Sequence, residues 1–153
     1  MEKKITIGNV CFLIDKKNDK ILLLERSREP MKSMYTGVGG KTHFEEDIKG
    51  SCIREVKEET GYYANNLQLK GVVKTLLQGK NSSWILFVYT CSDFSGSEIL
   101  CNEGELHWVK LNDVYKTNLI GFIREILPEV LSEDGFIETT LIHNENGEIL
   151  DNN

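Results

Sequence analysis

Three carboxylates sit close together in the middle of this chain: Glu55, Glu58 and Glu59, within the stretch GKTHFEEDIKGSCIREVKEETGY that runs from Gly40 to Tyr62. Their spacing predicts a helix from about Asp47 to Thr60, closed by Gly61 as a stop glycine, with the acids at i, i+3 and i+4 on one face. Like charges so placed repel. Either water screens them on a solvated surface, the usual fate of an EVKEE run, or a divalent cation neutralises them. The surroundings favour the cation. Val38-Gly39-Gly40-Lys41 reads as a loop whose glycines turn sharply and present bare carbonyls and amides, the donors that hard cations and phosphates use. Arg54 supplies a lone positive charge beside the acids.

The elements that must position these groups surround them in the sequence. Ser51 shares the helix face of Glu55 and Glu59, so a small side chain one turn earlier lets other backbone come close. Cys52, Ile53 and Val56 fall on the adjoining side. Ile5 to Ile14 and Ile21 to Leu24 are β-prone runs around DKKNDK, whose Asn18 and Asp19 favour a turn, and together they predict a hairpin. A polar loop from Glu25 to Gly37 follows. Its Arg26, Arg28 and Lys32 are either solvent charges or the lining for an anionic substrate. Leu67 to Leu77 and Trp84 to Thr90 read as strands joined through Gly79, Asn81 and Ser82, and Glu103 to Leu111 as another. Leu119 to Leu131 predicts a second helix that Pro128 should kink or break. One more strand, near Phe136 to Ile142, precedes a turn at Asn146-Gly147, with residues 144–153 expected as a flexible tail. Strands accompanied by two helices imply an α+β fold, a mixed sheet sandwiched between helices.

At 153 residues the chain suits one domain, 1–153, large enough to bury a core without staples. A net charge of -6 argues against a partner of duplex nucleic acid, which needs a basic footprint, but not against a nucleotide held through metal ions. Cys11, Cys52, Cys91 and Cys101 form no CxxC pair and have no histidine partner at zinc spacing, so they read as small apolar fillers in a reducing compartment. No window approaches 18 apolar residues, so no membrane association and a cytoplasmic location are expected. The state of assembly, monomer or homodimer, is open.

Gly40, five residues, Glu46, seven residues, then Arg54-Glu55-Val56-Lys57-Glu58-Glu59-Thr60-Gly61-Tyr62 resembles the signature box of the Nudix hydrolases. Seven defining positions fit identically, and at average residue usage such a coincidence occurs about once in 10^8 random windows. Val56 and Tyr62 fill the two apolar slots, Tyr62 where an aliphatic residue is commoner. The resemblance implies the three-layer α/β/α Nudix fold and Mg2+-dependent cleavage of a phosphoanhydride in a nucleoside diphosphate linked to another group, with Mn2+ as a substitute metal. Carried over position by position, it implies Glu55, Glu58 and Glu59 as metal ligands, the Gly39 carbonyl as a further ligand and Arg54 as the group that orients a glutamate. Gly40, Glu46 and Gly61 would shape the box. A later acid ahead of a tryptophan is also expected to bind metal or accept a proton. Glu103 and Glu105, ahead of Trp108, both qualify, and Glu103 is preferred.

A nucleoside triphosphate brings about four negative charges to a site already holding three, so binding requires intervening metal. Arg26, Gly40 and Lys41 are the expected phosphate contacts. The GVGGK entry and the overall length are similar to MutT-type members that act on oxidised purine triphosphates such as 8-oxo-dGTP, and Asn118, able to donate and accept at once, is the candidate reader of the base. ADP-ribose and nucleotide sugars are alternative substrates. A nucleotide sensor without hydrolysis is a rival of another class, but it should have lost box glutamates, and this chain keeps them. His43 and His107 are lone candidates for a general base, and Trp108 is read as core.

Overall fold

The computed structural model describes residues 2–150. Its architecture follows from β1, Lys4–Asp15, where every residue from Asn9 to Leu13 is buried. Successive side chains of a strand face opposite ways, so a strand buried on both faces needs a cover on each. Val10 and Phe12 join the apolar cluster beneath one helix, and Cys11 and Leu13 the cluster beneath the other. Strand β2, Lys20–Arg26, repeats the division, with Ile21 and Leu23 on the first side and Leu22 and Leu24 on the second. Helix α1, Ile48–Thr60, contributes Cys52 and Val56 to one cluster. Helix α2, Gly121–Leu131, covers the other with Ile123, Ile126, Leu127 and Val130, the i, i+3, i+4, i+7 stripe of an amphipathic helix. The result is the expected mixed sheet between helices.

The remaining strands are β3 (Tyr35–Thr36), β4 (Tyr62–Leu77), β5 (Ser82–Gly96), β6 (Gly104–Lys110) and β7 (Ile137–His143). Their order is β3-β2-β1-β5-β4-β7, with β6 on the other edge of β2. Strand β1 runs parallel to β5 from Lys4 opposite Ser82 to Leu13 opposite Cys91, β4 and β5 are antiparallel, and β4 is parallel to β7.

Four expectations change. The β1–β2 hairpin holds only at its turn, where Ile14 meets Ile21 and Asp15 meets Lys20; beyond it the strands part, β1 to β5 and β2 to β6. Strand β4 starts at Tyr62 instead of Leu67, because register shifts between Ala64 and Gly71 break the period of two and leave Ala64, Leu67 and Lys70 as the buried positions. Pro128 does not break α2: it lies on the exposed side of the helix, while the apolar stripe continues to Leu131. Residues 144–150 are not a free tail, since Ile149 bridges His143 and Gly147 packs against Gly121. The rest of that expected tail, 151–153, lies outside the described residues.

Candidate active site

Local sequence fixes α1. The Asp47 side chain accepts the Gly50 amide at 2.8 Å and caps the start, and Gly61 (φ 86°) ends the helix with its amide on the Lys57 carbonyl. Between these stops two rows form at i, i+4 spacing. Cys52, Val56 and Thr60 pack toward the sheet, whereas Ser51, Glu55 and Glu59 face the loop 38–42.

That loop is stitched to β1 and α1. The Asn9 amide donates to the Gly40 carbonyl at 2.9 Å and the Cys11 amide to the Val38 carbonyl at 2.7 Å, so the intervening Gly39 carbonyl is left without a hydrogen bond among the described residues. The buried Asn9 side chain accepts from the Gly40 amide and donates to Ser51 Oγ, which also meets the Thr42 hydroxyl at 2.7 Å. The expected close approach over Ser51 is therefore present. At Gly40 a β-carbon would lie 2.5 Å from the Glu55 carboxyl carbon, so only glycine lets that carboxylate reach the loop.

Arg54 holds three glutamates. Its guanidinium grips Glu46 with two bonds, 2.6 and 2.9 Å, and donates to Glu55 at 2.8 Å and Glu58 at 3.2 Å, with a further bond to the Lys41 carbonyl. The Arg54 contact, aided by the His43 amide, holds the Glu46 carboxyl down at about 2. Glu59 is different. It is 9% exposed, its hydrogen-bond donor is the Gly39 amide at 2.8 Å, and burial, reinforced by Glu55, Glu103 and Glu58, pushes its carboxyl up to about 8.

A cleft of about 590 Å³ opens here, and Gly39, Gly40, Lys41, Glu55, Glu59 and Glu103 line it, with Arg26. Of the two later acids, Glu103 lines the cleft and its side chain makes no hydrogen bond or ion pair among the described residues, while Glu105 turns away toward His107. Glu58 does not line the cleft. On a helix advancing about 100° per residue, i+3 and i+4 fall on opposite sides of i, so Glu59 points inward and Glu58 stays at the rim, its side chain 58% exposed against Arg54. The acids do not pinch to a point: among the described residues the set with ligand atoms within 4.8 Å of one another is Glu25, Glu105 and His107, on β2 and β6.

Asn118, the expected reader of the base, lies outside the cleft. Its neighbours Leu119 and Ile120 are buried, so Asn118 turns to solvent and does not line the cleft; its carbonyl accepts the Tyr35 amide. His43 is exposed beside Glu46, and His107 pairs with Glu25 at 2.9 Å, both away from the cleft. Trp108, read as core, is only half-buried: it stacks on Phe94 at the margin of the second cluster with its indole N–H on Glu98 near solvent. Sequence reasoning missed the apolar and aromatic part of the cleft lining, Trp84, Leu86, Phe122 and His143 from β5, α2 and β7. The one available signal was a tryptophan at the start of a strand-like run.

A divalent cation suits this donor set. Four carboxylates crowd one region, Arg54 is already shared by Glu46, Glu55 and Glu58, and the buried Glu59 has no cationic partner among the described residues. Carboxylates and a free backbone carbonyl are hard oxygen ligands of the type that Mg2+ and Mn2+ take.

Residues 5–130 match the NUDIX domain family. The chain is 30% identical over 137 residues to YvcI of Bacillus subtilis, an uncharacterised Nudix hydrolase, covering 87% of this chain and 85% of that protein. It is 30% identical over 105 residues to the ADP-ribose pyrophosphatase of Methanocaldococcus jannaschii, covering 67% of this chain and 62% of that protein. Among solved structures it is similar to a mutator MutT protein of Bacillus halodurans, with TM-score 0.85, 28% identity and 95% of each chain covered. A MutT Nudix hydrolase of Burkholderia pseudomallei superposes with TM-score 0.74 at 25% identity, covering 82% of this chain and 98% of that one. Members of the family generally use divalent metals. With Gly40, Glu55 and Glu59 of the box lining one cleft, and with a match spanning most of the chain, the protein belongs to the NUDIX domain family and is a phosphoanhydride hydrolase of the MutT type.

Proposed function

We propose that the enzyme hydrolyses a nucleoside triphosphate to the monophosphate and pyrophosphate with Mg2+, or Mn2+ in its place, and that oxidised purine nucleotides such as 8-oxo-dGTP are its preferred substrates, a role in cleansing the cytoplasmic nucleotide pool and so in DNA repair. The observation that carries this reading is the mixed lining of the cleft. Hard oxygen donors and the cations Arg26 and Lys41 line it together with the aromatic residues Trp84 and Phe122. A polyphosphate suits the former and a flat base the latter.

Glu55, Glu58, Glu59 and the Gly39 carbonyl would hold the metal, with Glu103 facing them. When bound, the ion supplies Lewis-acid stabilisation of the phosphoryl oxygens and a water of lowered pKa. Arg54 orients Glu55 and Glu58 and keeps Glu46 braced beneath the loop. Arg26 and Lys41 draw the phosphates against the carboxylates. The Glu103 carboxylate, free of any other partner, takes the proton as water attacks the β-phosphorus, and the bond to the bridging oxygen on the nucleoside side breaks. Lys57 bonds the Gly61 carbonyl at the helix end and takes no part.

ADP-ribose is a second reading, favoured by the likeness to the Methanocaldococcus jannaschii protein. The test is kcat/KM for 8-oxo-dGTP, dGTP, ATP and ADP-ribose with Mg2+, with products separated by chromatography. Monophosphate and pyrophosphate without initial orthophosphate are expected from the triphosphates, with 8-oxo-dGTP the best. Preference for ADP-ribose, releasing AMP and ribose 5-phosphate, would replace the substrate assignment. Glu59→Gln and Glu58→Gln should each lower kcat by at least ~10²-fold with the fold intact. Full turnover in excess EDTA would sink the metal chemistry.

A further inference from the structure

We propose that His143 reads the nucleobase, its Nε2 accepting a hydrogen bond from an N–H on the edge of the base that enters the cleft. His143 is the last residue of β7 and is only 7% exposed. Its Nδ1 lies 2.8 Å from the Asn144 carbonyl. A carbonyl can only accept, so Nδ1 carries the proton, and in the neutral ring Nε2 is left as a lone-pair acceptor. Among the described residues Nε2 has no hydrogen-bond partner, yet no buried side-chain nitrogen or oxygen is unsatisfied. Nε2 is therefore open, and the opening available to it is the cleft that His143 lines together with Glu55, Glu59 and Glu103. A position that needed only shape would be better filled by phenylalanine, which leaves no ring nitrogen to satisfy.

The surroundings present this atom as a fixed feature. The His143 ring rests on Phe122, centroids 5.0 Å apart, and its backbone is held by Gln78 and by the Ile149 bridge. Across β4, Leu77 sits opposite His143, and two residues back Thr75 sits opposite Trp84, so His143 and Trp84 belong to the same face of the sheet. The Trp84 ring lies over Gly8, whose β-carbon would stand 2.6 Å from it, and the Lys41 ammonium is 6.0 Å from the ring centroid. Trp84 thus stands beside Lys41 and on the sheet face that carries His143.

The ligand class follows from the acceptor. Guanine offers only acceptors, N7 and O6, on its major-groove edge, whereas adenine offers its N6 amino donor there. Oxidation at C8 places a hydrogen on N7 and turns that acceptor into a donor. A neutral Nε2 favours adenine or an 8-oxopurine on this edge and leaves guanine with lone pair facing lone pair. The inference rests on the reading of the cleft as a nucleotide site.

Isothermal titration with nucleoside monophosphates, which need neither metal nor turnover, tests it. The matched pairs are 8-oxo-dGMP against dGMP and AMP against IMP. Wild-type protein should bind the donor-bearing member of at least one pair about 10-fold more tightly. His143→Phe keeps the ring on Phe122 but has no acceptor, and should reduce that preference below about 3-fold, while His143→Gln, which keeps an acceptor, should restore part of it. No preference in either pair, or one unchanged in a folded His143→Phe, overturns the proposal. Base preference without Mg2+-dependent triphosphate hydrolysis sinks the proposed reaction and leaves the role of His143 standing; hydrolysis without a His143-dependent preference does the reverse.

Discussion

One guanidinium holding Glu46, Glu55 and Glu58 makes Arg54 a positioning residue whose geometry matters as much as its charge. Its planar fork makes two bonds to Glu46 and still reaches the other two acids, which a lysine point charge cannot copy. Arg54→Ala should lower kcat/KM by about 10²-fold, and Arg54→Lys should recover little of it; a lysine variant matching wild type would show that charge alone suffices. Glu59 carries the opposite tension. Its carboxyl is pushed up to about 8 by burial among Glu55, Glu103 and Glu58, with the Gly39 amide as the opposing donor. Between about pH 4.3 and 8 the folded protein keeps a proton that the unfolded chain has released, so stability drops as pH rises through that window, by up to about 1.4 kcal/mol per unit, and levels off above it. The Tm of metal-free protein should fall from pH 5 to pH 8. Glu59→Gln should flatten the profile and melt higher than wild type at pH 8, the reverse of its effect on activity, and Mg2+ should raise the wild-type Tm most at high pH. Arg54, Glu55 and Glu59 were legible in the sequence because their spacing on one helix is a local property. Asn9, Trp84 and His143 were not, because strands far apart in the chain bring them to the cleft, and Asn118 misled because only the burial of its neighbours decides which way it faces.

At the scale of elements, α1 was readable end to end since its end signals, Asp47 and Gly61, are single residues in the sequence. Removing them should cost stability in proportion to what each does. Asp47→Ala loses the cap on the Gly50 amide and should cost about 1 kcal/mol. Gly61→Ala should cost more, because a β-carbon there is strained at φ 86° and also runs into the Ser97 carbonyl. Urea unfolding monitored by circular dichroism would rank the two, and the reverse order would mean that Gly61 relaxes. Where the reading failed, tertiary packing overrode local propensity. The apolar stripe of α2 carries the helix past Pro128, and the bulges of β4 hide a strand whose alternation is broken.

For the whole molecule, the fold class and the three layers were legible from the count and character of the elements, but strand order was not, since parallel neighbours leave no mark on the sequence between them. The pairing of β1 with β5 also has a temporal side. Strand β1 is made first, yet its main partner, Ser82 to Cys91, follows only after α1 and β4 have been made, and β4 in turn takes β7 as its second neighbour. Until β5, and for β2 also β6, has been made, Val10 to Leu13 and Ile21 to Leu24 are greasy segments without a full sheet to join, open to chaperones and to one another. Non-local pairing of this kind places refolding on the order of milliseconds to seconds rather than microseconds, which stopped-flow fluorescence would time. A chain released after residue 81 should neither fold nor stay dispersed, whereas one extending through β7 should do both, so this enzyme is exposed to aggregation chiefly while it is being synthesised.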